Sequence, residues 1–169
     1  ILEQHRAVGV AQALVLTLMF GDLRELYQEV ILDHGKNPRN YGTLENYSHT
    51  ADGYNPMCGD QLTVYVKVDE DNKIKDVSFE AKGCAISIAS ASIMSEIVKG
   101  KTTDEVDSLF SYFHKLCTGE ETQQTNHIEE DIEKLKVMSG VNQFPSRIKC
   151  ATMSWHAVDS AIKSENGNF

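Results

Sequence analysis

The chain has 169 residues, with 16 Lys and Arg against 25 Asp and Glu, a net charge of −9. That length fits one domain with its own core. The acidic balance argues against nucleic acid or an anionic membrane as the main partner. Four cysteines in so long and proline-poor a chain point to a reduced, cytoplasmic thiol or metal site rather than to a disulfide framework.

Residues 1–20 stand apart as an extension. Ala7 to Phe20 is largely apolar behind His5 and Arg6, without a persuasive signal-peptide cleavage site, and it is too short to span a membrane. Met19 offers a natural start, which would leave residues 1–18 as upstream sequence. They carry no part of the functional argument. A single domain is expected over 21–163, with 164–169 a frayed tail.

Asp22 is placed to cap a helix. Leu23, Leu26, Tyr27, Val30 and Ile31 then share one helical face, and Gly35 is placed to stop it. His34, at the end, reads as structural, since a helix C-terminus favours protonated histidine. Asn37 to Gly42 is a turn-rich connector. Residues 43–53 are polar, with room for a short edge strand.

Tyr54-Asn55-Pro56-Met57-Cys58-Gly59-Asp60 follows. It sets a thiol and a carboxylate two residues apart, with a glycine between them that lets the backbone bend tightly. Leu62, Val64, Val66 and Val68 alternate with Thr63, Tyr65 and Lys67, the pattern of a half-buried strand. Asp69 to Lys73 reads as a hairpin turn. Val77 and Phe79 mark a second strand, over about 74–81. An antiparallel return would bring Lys82-Gly83-Cys84 back to the end where Cys58 lies.

Ala85 to Lys99 predicts a helix of small residues, with Ile86, Ile93 and Ile97 on one face and Gly100 ending it. Thr103 is placed to cap the next, along which Val106, Leu109, Phe110, Phe113 and Leu116 form an apolar stripe. Cys117 beside that stripe reads as a small buried or partly exposed hydrophobe. After the polar loop 119–126, Ile128, Ile132 and Leu135 mark a short helix ended by Gly140. Pro145-Ser146 opens a last helix, with Ile148, Ala151, Trp155, Val158 and Ile162 on one face and Cys150 in its first turns. His156 falls on a different face from Cys150 and reads as a surface histidine. Asp33 with His34, and the run Glu129 to Asp131, read as a helix end and a solvated face.

Cys84 and Cys150 thus stand where helices begin. The free N–H groups there lower a thiol pKa, and Lys82, Arg147 and Lys149 push the same way. Cys58, Asp60, Cys84 and Cys150 together would supply three thiolates and a carboxylate to one tetrahedral cation. The three basic residues would offset the surplus negative charge. Spacing by itself leaves a metal site and three unrelated cysteines both open, because no Cys-x-x-Cys pair is present.

Five segments carry a resemblance: residues 26–34, Asn37-Pro38-Arg39-Asn40, Asn55 to Asp60, Gly83 to Ser87, and Arg147 to Thr152. Together they resemble the iron–sulfur cluster assembly proteins of the SufU/IscU type, and the SufU branch in particular. Lys149 stands where IscU-like members carry a histidine, and residues 101–140 look like the helical insertion of SufU-like ones. The resemblance implies an α+β fold, a small three-stranded antiparallel sheet packed against several helices. It implies zinc on Cys58, Asp60, Cys84 and Cys150, with Cys58 the acceptor of persulfide sulfur from a pyridoxal-phosphate cysteine desulfurase. Downstream iron–sulfur assembly or acceptor proteins would be further partners. A transient [2Fe–2S] cluster on a scaffold, and a purely structural zinc domain that binds a partner, are the alternatives.

Overall fold

A computed structural model describes residues 23–123 and 126–164. Asp22, the extension and the tail beyond Ser164 lie outside the described residues. The elements run α1 (23–36), β1 (His49–Asn55), β2 (Asp60–Val68), β3 (Ile74–Lys82), α2 (Ala85–Val98), α3 (Thr103–Thr118), α4 (Glu129–Lys136), a 3-10 turn (Ser139–Gln143) and α5 (Pro145–Lys163). The three strands form one antiparallel sheet in the order β1-β2-β3.

Alternation decides which face of the sheet is covered. Leu62, Val64 and Val66 of β2 point inward, with Ala51 of β1 and Val77, Phe79 and Ala81 of β3, and all are buried. Thr63 and Tyr65 turn the other way and are only half-buried, and Lys67 is exposed. Helix α5 packs on β1 and β2, and α2 packs on α5 and β3. The small residues of α2, among them Ala89, Ser90 and Ala91, let the two helices approach closely, and the Ser90 hydroxyl donates to the Ala151 carbonyl between them. Trp155 of α5 is fully buried and meets Phe113 of α3 at a ring separation of 5.4 Å.

Two contacts fix the sheet's surroundings. The outer edge of β3 is occupied by the chain itself: Phe79 N–H donates to the Asn40 carbonyl at 3.1 Å, and Gly42 N–H to the Phe79 carbonyl at 2.8 Å. At the other edge Gly53 faces α5, and a Cβ built there would stand 2.9 Å from Met153 Cγ. The helix therefore sits on β1 more closely than any side chain at position 53 would allow.

Several boundaries differ from expectation. Helix α1 runs one residue past Gly35, and Leu23 and Leu26 on its expected inner face are 42 % and 53 % exposed, whereas Tyr27, Val30 and Ile31 do pack on the core. The edge strand β1 is longer than its polar sequence suggests and runs into Asn55. The cap of α3 is Thr102, not Thr103: its hydroxyl accepts from Glu105 N–H while the Glu105 carboxylate accepts from Thr102 N–H. Helix α4 ends at Lys136, and Gly140 lies in the following 3-10 turn. His34 is not held protonated. Burial lowers its pKa, the Arg39 charge adds to this, and its Nδ1 pairs with Ser92 Oγ at 2.7 Å.

Removing a reciprocal cap of this kind typically destabilises by about 1 kcal/mol. Thr102→Ala should therefore lower the urea midpoint by that equivalent with the m-value unchanged, and an unchanged midpoint would show that the cap contributes nothing.

Candidate metal centre

The β1–β2 hairpin closes with Asn55 opposite Asp60. Between them Pro56 to Gly59 form the turn, and Gly59 adopts φ 69°, the left-handed conformation that glycine takes without strain. Cys58 thus stands at a hairpin tip. The pairing of β2 with β3 places Gln61 opposite Lys82. It returns Gly83 and Cys84 to the same end of the sheet, as the antiparallel argument required. Cys84 then caps α2, its Sγ accepting from Ser87 N–H at 3.4 Å. Cys150 comes from the second turn of α5.

The side chains converge. One ligand atom each of Cys58, Asp60 and Cys150 lies within 4.8 Å of the other two. The Cys58 and Cys150 sulfurs are 3.3 Å apart, and all four cysteines are free thiols. Asp60 and Cys150 have no solvent exposure, while Cys58 and Cys84 are half-buried. Cys84 falls outside the tight group but is joined to it: its backbone N–H donates to Asp60 Oδ1 at 2.9 Å.

Electrostatics sets the thiols apart. Burial pushes the Cys150 thiol well up, and the Cys58 sulfur, Asp60 carboxylate and Cys84 thiol beside it push the same way. The expectation that a helix N-terminus biases Cys150 toward thiolate is therefore corrected, because desolvation outweighs the partial positive charge of the helix end. Arg147 lies beside the thiols. Its guanidinium is held more firmly protonated by the Cys150 thiol and then by Cys58 and Cys84, and its directional hydrogen bond runs from Nη1 to Cys58 Sγ at 3.7 Å. Lys82 and Lys149 are exposed and form no ion pair among the described residues. Lys149 lines a groove of about 400 Å³ with Tyr54, Asn55, Pro56 and Met153.

Two further residues shape the centre that the sequence did not single out. Asn55 is buried and donates from Nδ2 to Asp60 Oδ2 at 3.2 Å and to Cys150 Sγ at 3.5 Å. Gly83 leaves room for the carboxylate, since a Cβ there would stand 2.2 Å from Asp60 Oδ1. A tight hairpin ending at Pro56 and Gly59 was the available signal for Asn55, because closure of that turn sets it opposite Asp60. The donor set suits zinc: buried thiols and a carboxylate repel one another once ionised, and a soft-to-borderline divalent cation removes that repulsion.

His156 is exposed, lies against Phe110 and His114, and is not among the gathered ligand groups. Cys117 is fully buried in the core, and burial pushes its thiol up to about 12.

Fold and site define an α+β protein whose thiols and carboxylate gather at the end of a three-stranded sheet. Residues 26–112 match the NifU-like N terminal domain model. The chain is 41% identical over 146 residues to the zinc-dependent sulfurtransferase SufU of Bacillus subtilis (strain 168), covering 86% of this chain and 95% of that protein. It is 39% identical over 141 residues to the iron–sulfur cluster assembly scaffold protein IscU of Streptococcus pyogenes serotype M1, covering 83% and 85%. A solved structure from Fervidobacterium islandicum AW-1, described as a candidate iron–sulfur cluster assembly scaffold protein for the SUF system, superposes with a TM-score of 0.72 at 34% identity, over 80% of this chain and 95% of that one. The chain belongs to the SufU/IscU-type family of NifU-like N-terminal domain proteins.

Two outcomes follow from the geometry. If the centre takes zinc, Gly83→Ala should keep the fold but weaken that binding by about tenfold or more, the usual effect of disturbing a ligand's support. Titration against a chromogenic chelator reads it, and unchanged affinity would mean that the carboxylate is no ligand. For Cys117, the folded pKa of about 12 lies above the ordinary 9.0, so the folded state keeps a proton that the unfolded state loses. Its contribution to stability is full below pH 9.0 and declines as pH rises toward 12. Cys117→Ala should flatten that alkaline loss in denaturant midpoints measured across the window.

Proposed function

We propose that the protein works in iron–sulfur cluster assembly as a zinc-dependent acceptor and carrier of persulfide sulfur from a pyridoxal-phosphate cysteine desulfurase. The observation that carries this reading is the gathering of Cys58, Asp60 and Cys150 within 4.8 Å at a hairpin tip. The similarity to SufU of Bacillus subtilis supports it. Cys58, Asp60 and Cys150 would hold zinc, with Cys84 beside them as fourth ligand. Zinc would supply a thiolate at neutral pH where burial alone keeps the Cys150 thiol protonated.

Cys58 is the acceptor in this reading. It is the thiol at the tip, half-exposed, with the Arg147 guanidinium beside it. Its thiolate attacks the outer sulfur of the donor's cysteine persulfide. The new bond joins Cys58 Sγ to that sulfur, the donor's sulfur–sulfur bond breaks, and the donor cysteine leaves as a thiolate. No net oxidation occurs. Exposed Tyr54 and Met57 on the hairpin and Phe144 at the start of α5 flank the elements that carry the thiols, an apolar surround suited to a docking desulfurase. Lys82 and Lys149, both exposed, fit a role in docking better than one in neutralising the centre.

Downstream assembly or acceptor proteins would take the sulfur on. No helix among the described residues is long and apolar enough to cross a membrane, and a cytoplasmic location belongs to this reading because free thiols work in a reducing compartment. A second reading, a scaffold for a transient [2Fe–2S] cluster, draws on the likeness to IscU of Streptococcus pyogenes. The same donor set serves it, with the carboxylate favouring release over storage.

With zinc-loaded protein and a desulfurase, Cys58→Ala should abolish persulfide acceptance, read by mass spectrometry, while circular dichroism stays native. Persulfide found instead on Cys117 or Cys150 of the unmodified chain would overturn the assignment. A protein that unfolds on zinc removal and never accepts sulfur would be the structural zinc domain. A visible spectrum appearing on anaerobic iron and sulfide loading would favour the scaffold.

A further inference from the structure

Among the described residues, Asn55 is the one neutral polar side chain hydrogen-bonded to two of the gathered groups at once, and the residue is only 3 % exposed. Its nitrogen carries two protons, and two acceptors stand within reach: Asp60 Oδ2 at 3.2 Å and Cys150 Sγ at 3.5 Å. The orientation of the amide follows from this. Turning it over would set its oxygen against the carboxylate and leave two donors facing away. In the orientation found, Oδ1 has no hydrogen-bond partner among the described residues. A buried orphan oxygen is destabilising by about 1–3 kcal/mol in an ordinary interior. Position 55 tolerates one because the nitrogen end is committed twice.

The carboxylate is held from both sides as a result. Oδ1 accepts from the Cys84 backbone and Oδ2 from Asn55. Cys150 receives the other amide proton, whereas Cys58 receives none from Asn55 and contacts the Arg147 guanidinium instead. The three groups thus differ in support. Asp60 and Cys150 are anchored through a buried amide that belongs to the end of β1, and Cys58 rides on the turn beyond it.

We propose that Asn55 is the positioning residue of the centre: its side-chain amide fixes Asp60 and Cys150 as the standing ligands and leaves Cys58 the sulfur that exchanges. This rests on the reading that these residues hold zinc. Losing an outer-shell donor of this kind typically weakens metal binding by about 10–100-fold.

The test compares the full chain with Asn55→Ala and Asn55→Asp. Asn55→Asp keeps the shape of the side chain and replaces both donors with acceptors, so it separates donation from packing. Zinc affinity is read by competition with a chromogenic chelator, and cobalt(II) substitution reports ligand geometry in the visible spectrum. Both variants should bind zinc about 10–100-fold more weakly, Asn55→Asp the more so, with altered cobalt bands. Asn55→Asp binding zinc within about twofold of the unmodified chain, with the same cobalt spectrum, overturns the proposal, since an outer-shell donor should matter more than that. If neither variant folds, nitrogen-15 NMR of the unmodified protein decides. The Asn55 side-chain protons should be protected from exchange and shift on zinc addition, and freely exchanging, unshifted protons overturn the proposal. If the unmodified chain binds no zinc, the zinc reading itself fails. If it binds zinc and Asn55→Asp binds equally well, only the role of Asn55 fails.

Discussion

A carboxylate with no solvent exposure must be held by donors or by a cation, and Asp60 is the point on which this structure turns. It opens β2, faces Asn55 across the hairpin, accepts from the N-terminus of α2 and lies against a cysteine of α5. Four separate parts of the chain therefore meet at one side chain. Gly83 makes the meeting possible, because any larger residue would occupy the space of the carboxylate. The packing beneath serves that convergence. Trp155 and its ring contact with Phe113 seat α5, and the small residues of α2 bring it close enough for Cys84 and Cys150 to share a corner.

The thiols of the chain show how one chemical group takes several characters. Cys117 is enclosed by apolar core and is inert for that reason alone. Cys150 is as fully enclosed, but among sulfur and oxygen atoms, so its protonated form is favoured only while no cation stands near. Cys84 and Cys58 sit at half exposure, the first tied into a helix cap, the second at a turn. Charge on the surface contributes little to these differences. Of the three basic residues near the cysteines in sequence, Arg147 alone among the described residues comes within hydrogen-bonding distance of a thiol.

Much of this was legible in the chain. The strict alternation from Leu62 to Val68 announced β2 and its buried face, and the antiparallel return then placed Cys84 near Cys58 with no further information. The apolar stripes of α3 and α5 gave their inner faces, and Cys117, which its neighbours left either buried or partly exposed, is fully enclosed. What escaped was set by tertiary contact. Residues His49 to Asn55 carry few apolar side chains, and they become a strand because β2 offers them a ladder and α5 a wall. Leu23 and Leu26 fit a helical face that no described element fully covers. The protonation of His34 and of Cys150 was misjudged in the same way. Helix-end charge can be read locally from sequence, but desolvation depends on what the rest of the fold places on top. Asn55 drew no role from the sequence because its importance lies in acceptors from elsewhere in the fold.

The seat of Met153 on Gly53 has a mechanical consequence. Met153 lies one helical turn beyond Cys150, and its side chain fills the gap that a missing Cβ leaves in β1. Sliding helix α5 along the sheet would drive Met153 out of that gap, so the turn of helix that carries Cys150 is keyed to β1. Gly59 beside Cys58 has open space around it, and Cys58 itself meets Arg147 and Cys150. The two sulfurs, 3.3 Å apart, therefore stand on unlike footings: Cys150 on a helix keyed to the sheet by Met153, Cys58 on a turn whose glycine has open space around it.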